Sequence, residues 1–257
     1  MSLLPVLKSI VPKPVWHSAR NCYNSLNYRR LWARRRVVSF TRGQTEISLL
    51  IVNPRDSIQS VQATGAFFEE DELSQVAAYF NQGDVFVDIG ANTGQHSIYF
   101  LKLLGASKAI VFEPIPLTCR ILKENIALNG LSDVCDTSHL GVGLSDRNSA
   151  ANFTVNTVNL GGTSLQETGA GSIKTVTGDS ALAGQRVDFI KIDTEGFEIK
   201  VLLGLKQTIS DNRPAIFIEV DKDNVADFED FIEMQRYKIV WQHDRYRHSS
   251  NYLIAPI

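Results

Sequence analysis

Short apolar segments that end in acids or glycines recur along the middle of the chain. Four of them stand at Val85–Gly94 (VFVDIGANTG), Ala109–Pro114 (AIVFEP), Val187–Gly196 (VDFIKIDTEG) and Ala215–Val220 (AIFIEV). Such runs of β-branched and aromatic residues are typical of strands buried on both faces of a parallel sheet. Two stretches between them, Gln95–Leu104 and Pro116–Leu128, have helical spacing. The alternation predicts a doubly wound α/β fold.

The remaining elements follow from weaker patterns. The residues Asn129-Gly130 stop the second helix. The pattern predicts a third strand at Asp136–Gly143, an inserted hairpin at about 147–178, a helix at Ala226–Gln235, and two strands at Lys238–Gln242 and Tyr252–Ile257. A hairpin connects the last two strands naturally, so the sheet is expected to be mixed. In the inserted hairpin, four polar residues are candidates for binding a hydroxylated substrate or for an ordinary polar surface: Asn156, Asn159, Thr163 and Ser164.

The loop after the first strand has the features of a cofactor site. Asp88 stands near the strand end, and Gly90 and Gly94 let the backbone turn tightly and approach a ligand. Ligands of open α/β sheets bind outside the carboxyl ends of the strands. The dinucleotide pattern G-x-G-x-x-G is not matched, because Asn92 replaces the glycine that admits a pyrophosphate. A cofactor without a pyrophosphate fits better.

Glu113 completes this site. It ends the second strand at about the spacing of an acid that binds ribose, and a carboxylate there can accept hydrogen bonds from both ribose hydroxyls. A charged strand end is often only solvated. Together with the first loop, however, Glu113 predicts a two-part nucleoside site.

Acids also follow the third and fourth apolar segments. Asp193 and Glu195 come after one, and Glu219 lies near the end of the other. In a doubly wound sheet these acids, with Asp88 and Glu113, open on one edge. Each of them could instead cap the next helix, and this alternative is strongest for Glu195 and Glu219.

These motifs carry a family resemblance. The segments VDIGANTG, FEP, NIALNG and above all IKIDTEGFEIKVLLGL resemble the FkbM-type family of S-adenosylmethionine-dependent methyltransferases, over roughly Gly65 to Val220. The upstream pair Phe68 and Glu69 is similar to the family's usual entry. The resemblance implies a Rossmann-like class I fold with a seven-stranded, mostly parallel sheet and an antiparallel last strand. It also implies O-methylation of a hydroxyl on a sugar, a glycan or a polyketide.

The resemblance implies a set of cofactor contacts as well. S-adenosylmethionine would lie across the first two strand ends, at Asp88, Gly90, Asn92, Gly94 and Glu113. By analogy with the class, Val142 and Gly143 would line the adenine edge, with Asp146 close by.

The methyl acceptor must be aligned and, for an alcohol, lose a proton. His96 is predicted to face the pocket from the first helical turn, and histidine suits a general base. Asp193 and Glu195 compete with it, because they follow the strand where the acceptor should be held, and we prefer them. A Mg²⁺ variant would use Asp193 and Glu219, with Asp221 as a further ligand. Against it, the ligands are not contiguous, and acids near a sulfonium are useful without any metal.

The composition fits one sizeable globular domain. The chain has 257 residues, of which 44% are hydrophobic and 21% charged. No run reaches the ~18 apolar residues of a membrane span. The amino-terminal stretch is broken by prolines and lysines and shows no cleavage site, which disfavours a signal peptide. Three cysteines without C-x-x-C spacing indicate neither a disulfide framework nor a zinc site. The cytoplasm is the default compartment.

Charge is distributed unevenly. Residues 1–43 contain nine basic residues and no acid, whereas the rest has 17 basic and 28 acidic residues. The sequence therefore predicts a basic arm with lead-in elements at 1–60 and a methyltransferase domain at 61–257. The arm's arginines stand among Tyr23, Tyr28, Leu31 and Trp32. They could lie on an anionic membrane surface, bind nucleic acid phosphate, or belong to a helix that packs on the domain or on a second subunit.

Two other functions compete with O-methylation. A nucleic acid methyltransferase is supported by the basic arm, but the chain has DTEG where amino-directed enzymes carry Asn-Pro-Pro-Tyr or Asp-Pro-Pro-Tyr. A noncatalytic scaffold is disfavoured by the intact Asp88, Gly90, Gly94 and Glu113. The sequence leaves the acceptor's identity open.

Overall fold

The computed structural model describes residues 29–154, 164–167, 171 and 173–257. Three of the predicted substrate contacts, Asn156, Asn159 and Thr163, lie outside these residues, and of Ser164 only the backbone is described.

Helices and strands alternate through most of the chain. The strands are β1 (Arg36–Arg42), β2 (Thr45–Ile51), β3 (Val85–Ile89), β4 (Lys108–Phe112), β5 (Cys135–Asp136), β6 (Val142–Leu144), β7 (Ser149–Thr154), β8 (Ser164–Glu167), β9 (Ile173–Val176), β10 (Phe189–Ile192), β11 (Ala215–Asp221), β12 (Tyr237–His243) and β13 (Ser249–Pro256). The helices are α1 (Ser57–Gln62), α2 (Glu70–Val76), α3 (Gln95–Lys102), α4 (Pro116–Leu128), α5 (Gly178–Ala181), α6 (Glu198–Gly204), α7 (Lys206–Asn212) and α8 (Val225–Met234).

The central sheet has seven strands in the order β12-β13-β11-β10-β3-β4-β5. Strands β5, β4, β3, β10 and β11 run parallel, whereas β13 is antiparallel to both β11 and β12. The predicted α/β fold of a class I methyltransferase, with a mostly parallel sheet and an antiparallel last strand, is confirmed. Since β3 and β10 are neighbours, their carboxyl ends lie side by side.

Two apolar cores cover the two faces of this sheet. Along β3, Val87 and Ile89 pack into one core, and Phe86 packs into the other. This period of two is what a strand buried on both faces requires. Phe86 stacks on Phe100 of α3, with ring centroids 3.9 Å apart. The predicted second helix is confirmed at Pro116–Leu128.

The third strand was predicted wrongly. Only Cys135–Asp136 pairs with β4, and the chain then leaves the central sheet. The polar residues that follow offer no apolar run for a buried strand, and Gly141 turns the backbone at φ +90°. Val142–Leu144 instead pairs with β9 in a separate four-stranded sheet of order β6-β9-β7-β8. The predicted inserted hairpin is confirmed, as β7 is antiparallel to β8.

The lead-in residues pack on the domain. The antiparallel β1–β2 hairpin places Ile47, Leu49 and Ile51 in the same core as Phe86. Residues 29–33 are helical, and Trp32, 9% exposed, packs with Leu50, Val52 and Ile121. Packing of an aromatic side chain on the domain was one of the three interpretations of the arm.

The partner of the arm's exposed arginines stays a prediction, as does the domain division at residue 60. In the part of the chain that the structure describes, no helix has the length and apolarity needed to cross a bilayer.

Candidate active site

The loop between β3 and α3 approaches β10 so closely that it excludes a side chain. Gly90 has φ +77°, and a Cβ atom on it would lie 1.8 Å from the carbonyl oxygen of Asp193. Gly94, at φ +79°, would place a Cβ 2.8 Å from Cγ of Leu122. Glycine fits best at both positions, because the backbone is left-handed and a neighbouring atom leaves no room for a Cβ.

Glu113 ties this loop to the next one. Its Oε2 accepts a hydrogen bond from the backbone N–H of Asn92 at 2.8 Å, and its Oε1 accepts one from that of Ile115 at 2.8 Å. Burial raises the pKa of Glu113, and the N–H donor of Ile115 opposes that rise. A carboxylate has four lone pairs, so beside these two donors and the Thr118 hydroxyl Glu113 can still accept a bond from a ligand.

A cleft of about 600 Å³, counting its part open to solvent, lies over these loops. Its walls are Ile89, Gly90, Asn92, Phe112, Glu113, Pro114, Ile115, Thr118, Val142, Gly143, Leu144, Asp193, Thr194 and Glu195. The structure thus brings together seven of the predicted site residues: Gly90, Asn92, Glu113, Val142, Gly143, Asp193 and Glu195.

Asp88 and Gly94, both predicted to contact the cofactor, do not line this cleft. Asp88 is fully buried. Side chains alternate along a strand, so Asp88 lies on the same sheet face as Phe86, toward α3. There it accepts a hydrogen bond from Ser97 Oγ at 2.6 Å. Asp88 therefore acts on the site through the residues that it holds in place, and not by contact with a ligand in the cleft.

His96 was wrongly expected to face the pocket. It is 6% exposed and lines neither the cleft nor the cavity described below. Its Nε2 lies 3.3 Å from the carbonyl oxygen of Phe68 and 3.7 Å from Oε2 of Glu69. The ring therefore contacts Phe68 and Glu69, the two residues that precede α2, from the interior of the domain.

A second cavity, of about 1140 Å³ including its open part, adjoins the cleft. It is lined by Ser57, Ile58, Phe68, Glu69, Asp193, Glu195, Glu219, Asp221, Arg245, Tyr246, Arg247, His248 and Ser249. We call it the acidic cavity, because five of these residues are carboxylates. Asp193 and Glu195 belong to the walls of both spaces, so the cleft and the acidic cavity meet at the carboxyl end of β10.

The loop between β12 and β13 forms one side of the acidic cavity. Arg245 donates a hydrogen bond to the buried Glu72 at 2.6 Å, and the Tyr246 hydroxyl donates one to Glu69 at 2.6 Å. Arg245 also lies over the ring of Phe68, 5.1 Å from its centroid. Sequence reasoning missed Glu72, Arg245 and Tyr246.

The carboxylates of the acidic cavity repel one another. Partial desolvation, followed by the charges of Asp193 and Asp221, raises the pKa of Glu195 to about 7, although the residue is exposed at the rim. Burial and the charge of Asp193 raise the pKa of Glu219 to about 8, against a hydrogen bond from Ser249. Glu195 is therefore able to change its protonation state near neutral pH.

The raised pKa of Glu219 predicts a pH-dependent stability. A carboxyl group whose folded pKa exceeds the ordinary value of 4.5 stabilises the fold fully below that value, and the contribution is lost as pH rises toward about 8. The variant Glu219→Gln stays neutral. It should melt with the wild type near pH 5 but roughly 3–6 °C higher at pH 9, as expected for ~1.5 kcal/mol in a domain of this size. Thermal melts across that pH range check this. The control Glu233→Gln, on the exposed face of α8, should show no such trend.

Left-handed backbone is concentrated in the walls of the two spaces. Among the described residues, five non-glycine residues have a positive φ, and three of them are wall residues: Glu69 (62°), Asn92 (47°) and Glu195 (49°). Each such residue costs roughly 1–3 kcal/mol and persists only where its surroundings impose it. Strain of this kind collects at functional sites.

The magnesium alternative finds no support. Within the described residues, no group of three or more His, Cys, Asp or Glu side chains has the arrangement needed to hold a metal ion. Asp193, Glu219 and Asp221 line one cavity but do not form such a group.

Several solved structures are similar in fold. Methyltransferase FkbM from Methylobacillus flagellatus KT has 19% identity and a TM-score of 0.49, over 67% of this chain and 44% of that one. Sp1610 of Streptococcus pneumoniae, a putative tRNA (m1A22) methyltransferase, has 13% identity and a TM-score of 0.47, over 74% and 71%. M. capricolum TrmK in complex with S-adenosyl-homocysteine has 12% identity and a TM-score of 0.44, over 72% and 67%. This chain thus spans less than half the length of the Methylobacillus protein.

No curated protein matches the chain. A family model does. The model of the methyltransferase FkbM domain matches residues 88–244, more than half of the chain. This range contains the carboxyl ends of β3, β4, β10 and β11. The protein belongs to the FkbM methyltransferase family.

Proposed function

We propose that this protein is an S-adenosylmethionine-dependent O-methyltransferase that acts on a hydroxyl of a sugar, a glycan or a related natural product. The observation that carries the proposal is the junction at Asp193 and Glu195, where the cleft and the acidic cavity meet. Methyl transfer needs two ligands, a donor and an acceptor, brought together at one point. The two adjoining spaces offer one site for each.

The cleft fits the methyl donor by its chemistry. Ile89, Phe112 and Ile115 give apolar walls for a base, and Glu113 can still accept a bond from a ribose hydroxyl. The missing side chain of Gly90 lets this loop pack directly on the end of β10, and both segments line the cleft. When bound, S-adenosylmethionine supplies a methyl group on a positively charged sulfur, and the carboxylates of Asp193 and Glu195 would stabilise that charge.

The acidic cavity fits a hydroxylated acceptor. Carboxylates accept hydrogen bonds from hydroxyl groups and so orient a polyol. Glu195, with its pKa of about 7, is the residue that takes the proton of the acceptor hydroxyl.

The cofactor part of this proposal is tested by isothermal titration with S-adenosylmethionine and with NAD. We expect selective binding of the methyl donor, weakened at least tenfold in Glu113→Ala, because two charge-assisted hydrogen bonds are lost at about 1.5 kcal/mol or more each. Glu124→Gln, on the exposed surface of α4, is the matched control and should bind as the wild type does. Binding of NAD, or of neither compound, would contradict the proposal.

A further inference from the structure

Lys191 occupies a central position that the proposed chemistry does not yet use. Its side chain is only 4% exposed. Its Nζ donates a hydrogen bond to the carbonyl oxygen of Gly90 at 2.8 Å and lies 3.4 Å from Oδ2 of Asp193 and 3.6 Å from Oδ1 of Asp88. The ammonium thus makes one hydrogen bond, to Gly90, and two longer ion-pair contacts, to Asp193 and Asp88.

The three partners come from different parts of the site. Gly90 belongs to the loop under the cleft, Asp193 stands at the junction of the cleft and the acidic cavity, and Asp88 lies in the sheet interior. Lys191 and Asp88 are direct neighbours in the register of β10 and β3. A buried charge is tolerated only when it is paired, so Asp88 fixes the ammonium from below.

Gly90 and Asp193 are already in close backbone contact, as the missing Cβ of Gly90 shows. That contact sets the distance between the two backbones but leaves the Asp193 side chain free to rotate. Repulsion from Glu195 and Glu219 would turn it away from them. The ammonium of Lys191 is the group that opposes this rotation.

We propose that Lys191 is a positioning residue of the methyl-transfer site, which fixes the cofactor loop at Gly90 and the acceptor-side carboxylate of Asp193 relative to each other. The inference rests on the proposed function. Misplacement of a reacting group by about 1 Å can cost about a hundredfold in rate, so such a residue matters without touching either ligand.

The test uses the double variant Asp88→Asn/Lys191→Met, which removes both members of the buried ion pair and leaves no unpaired charge at Asp88. We expect its affinity for S-adenosyl-homocysteine, measured by titration calorimetry, to fall about tenfold, the effect of one lost hydrogen bond to a charged group. We also expect the amide protons of Gly90 and Ala91, which bond to the carbonyl of Phe112, to exchange roughly tenfold faster.

The matched control is Ile190→Val, on the same strand but facing the opposite core. It lowers stability without touching the loop, so neither readout should change. Wild-type affinity and wild-type protection of the two amides in a folded double variant would overturn the inference. So would equal changes in the control, since these would show a merely structural role.

A second measurement serves if the double variant does not fold. In the wild-type protein, nitrogen-15 NMR of the Lys191 ammonium should show slowly exchanging protons, because the group is buried, donates to the Gly90 carbonyl and is ion-paired with Asp88 and Asp193. Rapid exchange, as at a surface lysine, would overturn the inference. Neither this signal nor the amide exchange needs a ligand. A wild type that binds no S-adenosyl-homocysteine would therefore contradict the proposed function and leave these two readouts to judge Lys191.

Discussion

Replacing Gly90 with alanine is expected to eliminate measurable binding of S-adenosyl-homocysteine and to lower the melting temperature by roughly 5–15 °C. The added Cβ would lie 1.8 Å from the carbonyl oxygen of Asp193, which is backbone and cannot rotate away. Left-handed strain of ~1–2 kcal/mol adds to an overpacking penalty of ~1–3 kcal/mol. The loop and the end of β10 must separate, and this separation distorts both walls of the cleft. Calorimetric titration and thermal melts measure the two effects.

The control for this variant separates strain from collision. Gly184 has nearly the same φ, +75°, but a Cβ on it would meet nothing within 4 Å. Gly184→Ala should therefore lose only the stability that the left-handed strain costs, and it should bind the ligand normally. If Gly90→Ala binds as well as Gly184→Ala does, the close approach of the two backbones is not needed for the cofactor site.

Replacing Glu195 with glutamine is expected to reduce methyl transfer at saturating donor by about 10²–10⁴-fold, the usual contribution of a general base. In the wild type, the ionised form of Glu195 is the active one. Its pKa is about 7, so the rate should rise with pH between about 6 and 8 and then level off. Initial rates with a radiolabelled methyl donor and glycan acceptors give both results.

Asp223→Asn is the matched control for Glu195, since Asp223 is an exposed carboxylate two residues after the wall residue Asp221 but lines neither space itself. It should keep the wild-type rate and the wild-type pH curve. A Glu195→Gln variant that keeps its rate would assign the proton transfer elsewhere. Persistence of the rise near pH 7 in that variant would do the same, with Glu219 the next group to test because its pKa is about 8.

Much of the fold could be predicted from sequence because its strands are buried on both faces. Four apolar runs and two helical segments are enough to define a doubly wound sheet, and the structure places strands within all four. The third strand could not be predicted, since its two residues carry no hydrophobic period. From sequence alone, the short β6 segment could equally belong to the central sheet or to the four-stranded sheet. Its pairing with β9 places it in the four-stranded sheet.

Part of the candidate site, too, could be predicted from the sequence, and part of it could not. Gly90 and Glu113 could be found because turn geometry and strand ends leave a local signature. Asp88 and His96 were misplaced because their direction depends on which face packs against α3 and on the segment before α2. Lys191 gave a signal, an ionisable residue inside the run FIKI, but two of its three partners, Asp88 and Gly90, come from another strand and its loop. Contacts such as Tyr246 with Glu69 join residues 177 positions apart, and no local pattern announces them.

The position of β13 between β11 and β12 also bears on the order in which the molecule assembles. Chains emerge from the ribosome with their earlier segments first, and domains begin to fold during synthesis. Both loops beneath the cleft, at Gly90 and Glu113, are made long before residues 244–256. A nascent chain can therefore shape its nucleoside pocket while the wall formed by Arg245 and Tyr246 does not yet exist. Affinity for the methyl donor would precede the ability to select an acceptor, and bound donor would favour completion of the sheet.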